Sequence, residues 1–96
     1  MKKIPTQKPK TILVERVQTG VRMEKKLLKV LRAVADYLDM TLGDLLEGIV
    51  LHSFDGKTPF SNETLRVIHK FKQLYGLTLD STASHRLKEE EKFLRK

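Results

Sequence analysis

The chain has 96 residues, 40% of them hydrophobic, with no cysteine and a formal net charge of +7. That length allows one small domain with a modest core, which a second subunit would enlarge by sharing it. The lack of cysteine excludes disulfides and thiolate chemistry and fits a reducing cytoplasm; charge interrupts every apolar run, so neither a membrane span nor a signal peptide is expected.

Residues 1–14 form a basic arm carrying Lys2, Lys3, Lys8 and Lys10 together with Pro5 and Pro9, a composition that predicts flexibility. Residues 16–23 then alternate. Val17, Thr19, Val21 and Met23 fall on one side of an extended chain, and Arg16, Gln18, Gly20 and Arg22 on the other. A two-residue period is the signature of a β-strand. A lone strand cannot satisfy its own backbone groups, and no second strand of similar quality follows. The simplest partner is the same strand of a second copy.

The next stretch predicts a helix from about Glu24 to Leu38. Leu27, Leu28, Leu31, Val34, Ala35 and Leu38 make one apolar stripe, widened by Val30, and Lys25, Lys26, Lys29, Arg32 and Asp36 lie opposite. Lys25 and Lys26 oppose the positive end of the helix dipole, which a phosphate beside the helix start would explain. Asp39 and Met40 make the turn, with Asp39 suited to a left-handed cap. Thr41 caps a second helix, Leu42 to Phe54, with Asp44 three residues on and Leu42, Leu45, Leu46, Ile49 and Val50 inward. Gly48 in its interior suggests close approach of another helix backbone.

Residues 55–59 are a turn by composition, Ser61 caps a third helix over residues 62–75, and Gly76 stops it. Residues 77–84 read as irregular, and 85–96 as a short charged helix or a frayed tail. Enzyme readings fare badly. His52, His69 and His85 lack metal-ligand spacing, no phosphate-binding glycine loop occurs, and the letters of a triad at 52–55 would splay apart on a helix end. No catalytic residue, metal or cofactor is expected.

Charge is segregated. Residues 1–32 carry ten Lys/Arg against Glu15 and Glu24; residues 33–64 carry Lys57 against six acids; residues 65–96 carry eight Lys/Arg against four. A cationic N-terminal third predicts a polyanion partner, with nucleic acid ahead of a membrane surface.

The order arm, strand, helix, turn, helix resembles the ribbon-helix-helix family of DNA-binding proteins over about residues 15–54. The match is carried by Val21-Arg22-Met23 running into Glu24-Lys25-Lys26-Leu27, then Leu31, Ala35, Leu38, then Met40-Thr41-Leu42 with Leu45-Leu46 beyond. The resemblance implies a mainly α fold. It also implies a homodimer whose two strands pair as an antiparallel sheet that enters the DNA major groove, followed here by a third, C-terminal helix. Residues 1–14 would be the arm, 15–54 the DNA-binding and dimerisation domain, and 55–96 a helical extension with a charged tail. Gln18, Gly20 and Arg22 would face the bases, Arg22 suited to guanine and Gln18 to adenine. Arg16, Lys25, Lys26 and the start of the second helix (Thr41, Leu42, Gly43) would contact phosphates. Val17, Thr19, Val21, Met23, Leu27, Leu31, Leu45, Leu46 and Ile49 would form the dimer core. The expected function is sequence-specific binding of double-stranded DNA by a homodimer, as a transcriptional repressor. The alternatives are an antitoxin whose residues 61–96 bind a toxin protein, or a helical oligomerisation or adaptor module that binds no DNA.

Overall fold

The computed structural model describes residues 11–90, and three helices account for most of its ordered backbone: α1 over Lys25–Tyr37, α2 over Leu42–Phe54 and α3 over Asn62–Tyr75. A single 3-10 turn follows at Ser81–Ala83. The expected basic arm at Lys2, Lys3, Lys8 and Lys10, and the end of the expected charged tail, lie outside the described residues.

Local chemistry accounts for each boundary. Glu24 caps α1, its Oε1 accepting the Leu27 N–H at 2.7 Å. α1 ends where Asp39 takes a left-handed conformation, φ 58°, and Met40 N–H reaches back to the Ala35 carbonyl at 2.9 Å. Aspartate tolerates that region better than most residues other than glycine. The Thr41 hydroxyl accepts the Asp44 N–H at 3.0 Å and starts α2, and the Ser61 hydroxyl accepts the Thr64 N–H at 3.1 Å and starts α3. Gly76, φ 71°, closes α3 in the left-handed conformation that a side chain would strain.

α1 is the central element, packed against both α2 and α3. Val30, Val34 and Ala35 of α1 are buried together with Leu45 of α2 and Leu77. Ile49, Phe60, Ile68, Phe71 and Leu79 pack around them. α3 runs so that its C-terminus lies beside the first turn of α1, since a Cβ on Gly76 would sit 3.5 Å from Lys26 Nζ. Residues 77–79, irregular as expected, nevertheless complete the core: the left-handed turn at Gly76 throws Leu77 back onto α1, and Leu79 follows.

The expected ribbon-helix-helix fold with its two-stranded sheet is not found. No described residue is in a strand, and residues 11–23 are irregular and exposed apart from the half-buried Met23. A strand exists only through a ladder of hydrogen bonds to a neighbour. The described remainder of this chain, mainly helix, contains no strand for residues 16–23 to pair with. The reading of Gly48 is also corrected within the chain, because a Cβ there would meet nothing within 4 Å.

Candidate nucleic-acid interface

Successive turns of α1 bring Lys25, Lys29 and Arg32 into one exposed row, because positions i, i+4 and i+7 share a helix face. The row is one helical pitch, about 5.4 Å, per step. Asp36 is exposed one turn beyond it. Among the described residues none of the three cations is in an ion pair with a carboxylate. Beside the row runs a shallow groove between α1 and α3, with Lys29, Arg32, Asp36 and Tyr37 on one bank and Phe71 and Tyr75 on the other, so one carboxylate lies among its cations. Cations next to partly exposed aromatic rings suit a ligand that has both phosphates and ring faces. Phe71 and Tyr75 follow the apolar spacing of α3, so the sequence points to them as core alone.

Lys26 stands apart from this row. Its ammonium lies at the C-terminal end of α3, next to Gly76. That end carries the negative pole of the α3 dipole, which offsets the unfavourable placement at the start of α1. The end of a neighbouring helix thus offsets the placement of this lysine without a phosphate being required.

The two arginines of the extended segment are both engaged. Arg16 grips Glu47 of α2 with two parallel bonds, Nε to Oε2 at 2.8 Å and Nη2 to Oε1 at 2.7 Å, and reaches Asp44 at 3.2 Å. The guanidinium holds the Glu47 carboxyl below its usual range, chiefly by hydrogen bonding, and the arginine's own pKa is raised in return. Arg22 Nε donates to Glu89 Oε1 at 3.0 Å while Nη2 donates to Oε2, and the Glu89 carboxyl is likewise lowered by that hydrogen-bonded pair.

The expected site residues are thus dispersed. Gln18, Gly20 and Arg22 are exposed on the extended segment, and Thr41 and Gly43 are exposed at the start of α2, with Leu42 between them half-buried. Thr41 is occupied as a cap, and Asp44 and Glu47 outnumber Arg16 beside that helix start, which disfavours a phosphate there. Of the expected dimer core, Leu45 is buried, Met23, Leu27, Leu31, Leu46 and Ile49 are half-buried, and Val17, Thr19 and Val21 are exposed. His52 bonds the Gly48 carbonyl of its own helix at 2.8 Å. Among the described residues no cluster of three His, Asp or Glu side chains is arranged to hold a metal ion, and no helix is long and apolar enough to cross a membrane.

No protein-family profile, curated protein or solved structure matches the chain.

Proposed function

We propose that this protein binds double-stranded DNA as a cytoplasmic homodimer and acts as a transcriptional repressor. The observation that carries the reading is the exposed row Lys25, Lys29 and Arg32 on the central helix, within a cationic N-terminal third and turned away from the core that α2 and α3 share. Such a row follows a phosphate backbone, and Gln18 and Arg22 on the adjoining extended segment supply donors for base edges. A second copy is supported by the small core set against the large apolar side chains left exposed, among them Val17, Val21, Val50, Leu51 and Phe54. The antitoxin alternative needs residues 61–96 free for a toxin, whereas α3 spends Ile68 and Phe71 on the domain's own core.

The test is a titration of a labelled random-sequence duplex at several salt concentrations. Lys29→Ala with Arg32→Ala should weaken binding to all sequences and flatten the log–log salt slope by about 2, since each lost phosphate contact removes about 0.9. An unchanged slope, or no binding by the wild type at low salt, refutes the reading.

A further inference from the structure

The C-terminal segment returns across 67 positions to the extended segment, where Glu89 fills the fork of Arg22. Two N–H groups aimed at two oxygens is also the geometry with which arginine holds a phosphate or the edge of a guanine. Glu89 therefore makes the same demand on Arg22 that a nucleic acid would make. The pair lies at the surface, the Arg22 side chain 75% and the Glu89 side chain 33% exposed. At that exposure water and salt screen the attraction, so the contact is one that a polyanion with a strong field can displace.

We infer that Glu89 is an internal competitor for nucleic acid at Arg22, a carboxylate that occupies the arginine until a phosphate or base edge replaces it. The inference rests on the DNA-binding reading and adds a threshold to it. Duplex entering at Arg22 releases residues 85–90 from the extended segment, and weak anions that cannot outcompete Glu89 are turned away. Arg16 is held by Glu47 and Asp44 in the same manner, but those acids belong to α2, which is part of the packed domain. Glu89 belongs to a segment with no regular structure, and no residue of 85–90 is part of the core cluster.

The experiment is a double-mutant cycle on the full chain: wild type, Glu89→Gln, Arg22→Ala and the double variant, each titrated against the same random-sequence duplex at low salt. Glutamine keeps the shape of glutamate and removes the charge. Glu89→Gln should tighten binding by about two- to fivefold, the range that breaking one exposed ion pair supports. In the Arg22→Ala background the same change should have a clearly smaller effect. An equal gain in both backgrounds would show a general effect of net charge and overturn the proposal, as would no gain at all. Should none of the four proteins bind, the DNA-binding reading itself falls, a result distinct from binding that is indifferent to Glu89.

Discussion

Truncating Leu45 to alanine tests how α2 is attached. Leu45 is the one residue of α2 that is buried, at 4% exposure, against Val30, Val34 and Ala35 of α1. Further along the same helix, Leu51 is 64% and Phe54 81% exposed. Losing three buried carbons at about 0.8 kcal/mol each removes about 2.4 kcal/mol of transfer free energy. The cavity left behind brings the cost to about 2–5 kcal/mol. For a chain of this length, total stability is of the order of 5–14 kcal/mol. With a urea dependence of about 1.5 kcal/mol per molar, a loss of about 3 kcal/mol lowers the midpoint by about 2 M. Urea titration followed by far-ultraviolet circular dichroism measures the shift. Leu51→Ala, on the exposed side, should cost less than about 0.5 kcal/mol at protein concentrations low enough to disfavour self-association. A cost below about 1 kcal/mol at Leu45, or equal costs at the two sites, would refute the packing of α2 through this residue.

Three further outcomes are expected. Ser61→Ala removes the hydroxyl that accepts the Thr64 N–H and should destabilise the domain by about 0.5–2 kcal/mol, seen as a lower thermal midpoint. The glycines should split: Gly76→Ala, at φ 71°, should cost about 1 kcal/mol, whereas Gly48→Ala, in open space within a helix, should add about 0.5–1 kcal/mol. A calorimetric scan giving both changes the same sign would contradict these conformations. Acid should loosen the extended segment. Arg16 and Arg22 hold Glu47 and Glu89 below their usual pKa, so each pair's contribution is complete above the unfolded value, about 4.3, and is lost as pH falls through the lower folded value. Backbone NMR relaxation of residues 16–22 should show greater motion at pH about 2.5 than at about 6; unchanged order would disprove the two clamps.

The helices were legible in the sequence because their determinants are local. Apolar spacing from Leu27 to Leu38, hydroxyls at Thr41 and Ser61 and a glycine at 76 specify where each helix starts, faces and stops within a few residues of themselves. Of the candidate interface, the sequence singles out Lys25 for phosphate and places Lys29 and Arg32 only on the polar side of the helix, although periodicity puts all three on one face. Contacts over long sequence distances were not. Arg16 meets Glu47 across 31 positions and Arg22 meets Glu89 across 67, and no local pattern marks either pair.

Residues 16–23 separate the two kinds of information most sharply. Their alternation is real in the sequence, but it describes which way side chains would point in a strand, not whether a neighbouring strand is present. That second condition belongs to tertiary structure, and this helical domain does not meet it. The sequence by itself determined three amphipathic helices, the caps of the second and third, and a cationic N-terminal third. Only the tertiary structure decided that the extended segment stays unpaired in the chain, that Lys26 answers the dipole of α3, and that Leu77 closes the core. The physical reason is range: caps and periodicity act within a few residues, whereas ladders, ion pairs and burial need segments that only folding brings together.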